Sequence, residues 1–156
     1  MPEPKPVKKA APSEKKIFVV DDDEMIVQFL KVTLETEGFQ VKTGRDGRNM
    51  LKRAQEYKPD LIVSDLMMPG GGGYEVLRSL QGDPDTAHTP VLIITGSNMA
   101  TSTKDMLTQE SNLAGYLEKP VRPETLLRHV HKILNTMSAS DARSQKQNPV
   151  NFDDVF

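Results

Sequence analysis

Five short apolar runs alternate with five segments of helical period, and this alternation constrains the fold more than any other feature of the chain. "KIFVV" (residues 16–20) precedes a segment in which Ile26, Phe29, Leu30 and Leu34 recur at steps of three and four, ending at Gly38. "FQVKT" (39–43) precedes an amphipathic stretch carrying Met50, Leu51 and Ala54. That stretch must stop before Pro59, because the residue preceding a proline is pushed out of the helical region. "DLIVSD" (60–65) is too short for a helix and leads to Val76, Leu77 and Leu80 on one helical face. "PVLIIT" (90–95) precedes a polar segment at about 100–111, and "AGYLEK" (114–119) precedes residues 123–137, with Leu126, Leu127, Val130, Ile133 and Leu134 as a buried stripe. Continuous apolar strands alternating with helices predict an α/β fold: a doubly wound, five-stranded parallel sheet covered on both faces and joined by right-handed crossovers. Ligands in such sheets sit beyond the carboxyl ends of the strands, near the point where strand order reverses.

The 156 residues, 37% hydrophobic and 27% charged, suit one globular domain with flanking arms. Residues 1–15, rich in proline and lysine, are expected to form a disordered basic arm, with the domain at 16–137. Residues 138–156 form a polar tail without a core of its own, although it finishes on the aromatic and acidic "NFDDVF". The formal charge of −2 carries no basic field to advertise a direct nucleic-acid partner. Absence of cysteine removes disulfides, thiolate metal sites and cysteine nucleophiles, and fits a reducing compartment. No run approaches the length of a membrane span and no signal-peptide core is visible, so the expectation is a cytoplasmic protein without membrane insertion.

The residues at or just after the strand ends make a short set: Asp21 and Asp22, Asp65, Thr95 and Lys119. Carboxylates about 5 Å apart repel by roughly 3 kcal/mol at an effective dielectric near 20, so this cluster calls for a cation. Oxygen-only ligands favour a hard ion, and an open site suits Mg2+ better than Ca2+. A cation beside a carboxylate, an amine and a hydroxyl is also equipment for receiving a phosphoryl group. Asp65, alone on the third strand, is the natural nucleophile.

"FVVDDDE", "IVSDLMMPG", "VLIITG" and "GYLEKP" resemble, in order and spacing, the receiver domains of two-component response regulators over about residues 16–137. The resemblance implies a flavodoxin-like fold with strand order 2-1-3-4-5. It implies phosphorylation on Asp65, with Mg2+ bound by Asp22 directly, by Asp21 through water, by Asp65 and by the backbone carbonyl of Met67. Thr95 and Lys119 would contact the phosphoryl group, Tyr116 would be the aromatic whose rotamer follows Thr95, and Pro120 occupies the position of the family's cis lysine–proline peptide. The implied partners are a sensor histidine kinase or histidine phosphotransfer protein as donor and an output protein as receiver of the signal, with a phosphorylation-dependent dimer as a further option. On this reading the chain is a signalling phosphoacceptor rather than an enzyme with a separate substrate. The alternative is a receiver-fold binding module that works without phosphorylation.

Other residues read more plainly. Asp23 and Glu24 fall on the first turn of the first helix and serve its N-terminus. His88, His129 and His131 form no ligand cluster. Asn112 stands where the family commonly leaves the fourth helix with glycine, so a left-handed conformation is expected there. Gly70 to Gly73 are not a nucleotide-binding loop, because Tyr74 and Glu75 follow where lysine and a hydroxyl would be required. They read instead as a softened loop beside Asp65, with Gly72 in place of a helix-capping aspartate and a frayed start to the third helix. Met67 stands where a hydrolase working through an aspartyl phosphate on small substrates would carry a second acid.

Overall fold

The computed structural model describes residues 9–68, 73–96 and 101–138. Five strands, β1 (Lys16–Val20), β2 (Gln40–Gly44), β3 (Leu61–Asp65), β4 (Val91–Thr95) and β5 (Leu113–Glu118), alternate with five helices. The helices are α1 (Glu24–Glu37), α2 (Met50–Tyr57), α3 (Gly73–Gln81), α4 (Thr101–Thr108) and α5 (Pro123–Leu134). The strands form one parallel sheet in the order β2-β1-β3-β4-β5. All five residues of both β3 and β4 are buried, which is why these strands read as unbroken apolar runs.

Strand alternation sends neighbouring side chains to opposite faces. Ile17, Val19, Leu61 and Val63 pack with Leu30 and Leu34 of α1 and Leu126 and Val130 of α5. Phe18, Val20, Ile62 and Ile93 pack with Ala54 of α2, Leu77 of α3 and Leu107 of α4. Each fully buried aliphatic or aromatic side chain contributes about 1.5–3 kcal/mol, so the two layers hold the sheet rigidly beneath whatever its upper edge carries. Asp23 caps α1, its Oδ1 accepting from the Met25 N–H at 2.9 Å. Gly38 ends that helix at φ 114°, with its N–H on the carbonyls of Glu35 and Leu34. Phe39 N–H then reaches back to Leu34 O at 3.1 Å, as in a left-handed C-terminal cap.

The structure departs from the expected boundaries in informative places. Strand β2 begins at Gln40, because the buried Phe39 is spent on the core and packs its ring 5.4 Å from that of His131. Helix α5 stops at Leu134, where Asn135 takes a left-handed φ of 52° and Thr136 pairs with Ala10. The expected disordered arm is therefore not free over its last residues: Ala10 N–H donates to Asn135 O and Met137 N–H to Ala10 O, and Pro12–Glu14 form a single 3-10 turn. Asn112 has no positive φ. It is buried instead, donating from Nδ2 to Leu77 O at 3.0 Å and accepting from Gln81 Nε2 at 2.7 Å, so it ties the start of β5 to α3. The expectations for Gly70, Gly71 and Gly72, for residues 1–8 and for the "NFDDVF" tail lie outside the described residues.

Candidate functional site

Sheet register assembles the site. Val20 pairs with Ser64, Asp65 with Ile94 and Thr95 with Glu118, so Asp21, Asp65, Thr95 and Lys119 come off neighbouring strands at nearly one level. Strand order reverses between β1 and β3, and Asp21 and Asp65 stand on either side of that point. Lys119, leaving the edge strand β5, has to reach across β4, which its four-carbon stem allows. The Lys119–Pro120 peptide that follows is cis.

Carboxylate oxygens of Asp21, Asp22 and Asp65 lie within 4.8 Å of one another. Asp21 is 1% exposed and Asp65 7%, whereas Asp22 faces solvent. Asp21 Oδ1 accepts from the Asp23 N–H at 2.9 Å, and its Oδ2 lies 3.0 Å from Lys119 Nζ. Apart from that ion-pair contact, Asp21 Oδ2 receives no hydrogen bond among the described residues. A buried carboxylate oxygen with unused lone pairs, facing two further carboxylates, fits a hard cation. Lys119 Nζ also stands 3.5 Å from Asp65 Oδ1.

The electrostatics follow from this crowding. Burial pushes the Asp65 carboxyl above the usual aspartate range; the Asp21 carboxylate adds to the shift, and Lys119 offsets only part of it. Burial alone would depress the Lys119 ammonium, but the carboxylates of Asp21 and Asp65 outweigh it and hold the group above the ordinary lysine value. One cation thus serves two carboxylates in a half-dry cleft, leaving the site short of positive charge.

Thr95 is buried, and its carbonyl accepts the Lys119 N–H at 2.7 Å. Tyr116 lies further down β5, half-buried against the α2–α4 layer, with Lys104 Nζ of α4 5.6 Å from its ring centre. Met67 is 76% exposed, two positions beyond Asp65. Asp23 and Glu24 belong to α1, the first as its cap and the second paired with Arg45 at 3.0 Å.

One feature was not legible as a site element in the sequence. Met25, 82% exposed on the first turn of α1, lines a cleft of about 540 Å³ with Ile26, Phe29, Lys119, Pro120 and Val121. The signal available was a methionine outside the buried stripe of α1, directly after the acidic run. The cleft places an apolar surface against the rim of the acidic cluster. His131 is buried, with Nδ1 2.8 Å from Thr136 Oγ1 and Nε2 2.8 Å from Glu37 Oε1, and these contacts join α5 to α1 away from the acidic cluster. No helix among the described residues is long and apolar enough to cross a membrane.

Residues 17–131 match the response regulator receiver domain family. Protein PilH of Pseudomonas aeruginosa is 33% identical over 119 residues, covering 76% of this chain and 97% of PilH. Response regulator PleD of Caulobacter vibrioides is 35% identical over 132 residues, covering 85% of this chain, which spans only 29% of the length of PleD. Among solved structures, chemotaxis response regulator CheY4 of Vibrio cholerae aligns with a TM-score of 0.70 at 32% identity, over 77% of this chain and 98% of CheY4.

Proposed function

The chain belongs to the response regulator receiver domain family, and from that premise we propose that Asp65 is its phosphoacceptor in two-component signalling. The observation that carries the assignment is the convergence of Asp65, Asp21 and Lys119 at the reversal of strand order, with Lys119 Nζ 3.0 Å from Asp21 and 3.5 Å from Asp65. Asp21, Asp22, Asp65 and the Met67 carbonyl would hold Mg2+, which supplies charge neutralisation for the carboxylates and for the incoming phosphoryl oxygens.

The chain's own residues divide the remaining work. An Asp65 carboxylate oxygen attacks phosphorus in line; the new oxygen–phosphorus bond forms as the phosphorus–nitrogen bond of a donor phosphohistidine breaks, and the electron pair leaves with the imidazole. Lys119 is already within reach of Asp65 and compensates the charge that arrives. The added group carries about −1.5 to −2 charges at neutral pH, which draws Lys119 from its shared position and gives the Thr95 hydroxyl an acceptor. Thr95 lies on β4, next to the strand carrying Tyr116, so its rearrangement reaches the aromatic ring and the Lys104 contact on α4. Hydrolysis of the acyl phosphate resets the protein. The apolar cleft at Met25, Pro120 and Val121 supports a histidine kinase or histidine phosphotransfer protein as donor.

Incubation with acetyl phosphate and Mg2+, read by intact mass, tests the assignment. One added phosphoryl group in the wild type and none in Asp65→Asn is expected. No gain in the wild type, or a gain retained in Asp65→Asn, refutes it.

A further inference from the structure

A second concave surface lies away from the acidic cluster. A groove of about 1050 Å³ runs along the amino-terminal half of β5 and the outer side of α5. Leu113, Tyr116 and Ile133 supply apolar lining, and Arg128 and Lys132, both exposed, supply charge. No carboxylate lines it among the described residues. Burial first, and the positive charges of Arg128 and Lys132 after it, hold His129, also in the lining, below the ordinary histidine range. β5 is an edge strand, with no partner on its outer side among the described residues.

The chain carries a segment with the complementary chemistry. Residues 150–156, "VNFDDVF", combine Phe152, Val155 and Phe156 with Asp153 and Asp154 and contain no cation. We propose that residues 150–156 of this same chain dock in the groove beside β5, with Phe152 and Phe156 on its apolar lining and Asp153 and Asp154 against Arg128 and Lys132.

Reach and charge both favour this occupant. Residues 139–149 can span about 36 Å when extended, whereas the whole of α5 is about 18 Å long and the groove opens on its second half. A tether of that length holds the segment at an effective concentration in the millimolar range, so a weak contact is populated. The apolar cleft at Met25 is a competing seat among the described residues, but it adjoins the three carboxylates of the acidic cluster, which repel Asp153 and Asp154. The lysine-rich residues 1–8 have the wrong charge for the β5 groove. The contact requires no phosphorylation, so its test is separate from that of Asp65.

Because the chain has no cysteine, Asn151→Cys in the 156-residue chain takes a single nitroxide label. The expected result is that amide signals of Gly115, His129 and Lys132 lose roughly half their intensity or more relative to the reduced label, while Ala54 on the opposite face is unaffected. Asp153→Lys with Asp154→Lys restores the signals; so does Arg128→Glu with Lys132→Glu; combining the two reversals brings the broadening back. Absence of broadening in the parent protein, or broadening that survives either reversal, overturns the proposal. Equal broadening when an unlabelled, isotope-enriched chain is mixed with a spin-labelled one also overturns it, by showing that the occupant is the tail of a second copy.

Discussion

Replacing Asp65 by Asn isolates the electrostatic tension of the site. At an effective dielectric of 20, Lys119 Nζ at 3.5 Å attracts the Asp65 carboxylate by about 4.7 kcal/mol. An Asp21 carboxylate oxygen at up to 4.8 Å repels it by at least about 3.5 kcal/mol. Asp22 adds a smaller repulsion, because its exposure lets solvent screen it. The charge terms nearly cancel, so the cost of burying the ionised group decides the sign, and that cost runs against the carboxylate. Lys119 keeps Asp21 as a partner in the variant, so no orphaned ammonium offsets the gain. In the absence of divalent cations at neutral pH, Asp65→Asn is expected to be more stable than wild type by about 1–2 kcal/mol, or about 3–8 °C in Tm. The pH dependence has a definite sign. A carboxyl whose folded pKa lies above its unfolded value binds its proton more tightly when folded. Its contribution to stability is therefore complete below the ordinary aspartate range and is lost as pH rises through the folded value. The advantage of Asn should consequently shrink as pH is lowered and grow toward neutrality. Mg2+ at millimolar concentration should raise the Tm of the wild type and raise that of Asp65→Asn much less. Thermal melts in chelator and in Mg2+, at neutral pH and near pH 4, provide the assay. A variant that melts at or below wild type at neutral pH without cation, or a difference unchanged by pH, would refute the balance of terms.

Lys119→Gln leaves Asp21 and Asp65 without their shared cation and should cost about 2–4 kcal/mol in chelator, read by urea denaturation, with a larger protective response to Mg2+ than in wild type. Because the folded Lys119 pKa is raised, its stabilisation is present below the ordinary lysine value and lost as pH rises through the folded one, so the gap between wild type and variant should close at strongly alkaline pH. Met25→Gln should slow phosphoryl transfer from a phosphohistidine donor several-fold while leaving transfer from acetyl phosphate unchanged, because the exposed Met25 lines the apolar cleft and contributes no group to the acidic cluster; equal effects on both donors would remove the docking role. Gly38→Ala should cost about 1 kcal/mol or more, since φ is 114° and the new methyl would meet Pro12 Cβ at 3.3 Å; the denaturation midpoint should fall at constant slope.

The alternation of apolar runs with helical stripes made the layers legible, because burial on both faces of β3 and β4 leaves no room for polar residues within those runs. The acidic cluster was legible for a related reason: in a parallel sheet with fixed register, residues at or just after the carboxyl ends of the strands arrive at one edge. Three kinds of feature were hidden. Asn112 looked like a turn residue because propensity describes the backbone, whereas what decides this position is a buried amide with partners at Leu77 and Gln81, far off in sequence. The order of residues 9–15 depends on Ala10 meeting Thr136, a pairing between opposite ends of the domain that no local pattern encodes. The end of α5 shifted for the same reason, since Thr136 is held by Ala10 and by His131 rather than by helical propensity.

These features share a cause that bears on how the domain could transmit a signal. The contacts invisible to pattern reading, Asn112 to α3 and His131 to Glu37 and Thr136, lie along the flanks of the sheet, where polar groups add to the apolar packing that already joins α1 and α5. Apolar layers are close-packed and resist small displacements, so a charge added at Asp65 has little freedom to move β1, β3 or β4. The elements left to respond are those held by few polar contacts. α4 is the clearest case: besides Leu107 in the core, its described side chains reach β5 through Lys104, which spans the Tyr116 ring and Glu118 at 3.7 Å. Both anchors sit within three residues of Lys119 on the same strand. Under the proposed phosphorylation of Asp65, a movement of Lys119 toward the phosphoryl group would act on the strand whose other side chains hold Lys104 of α4.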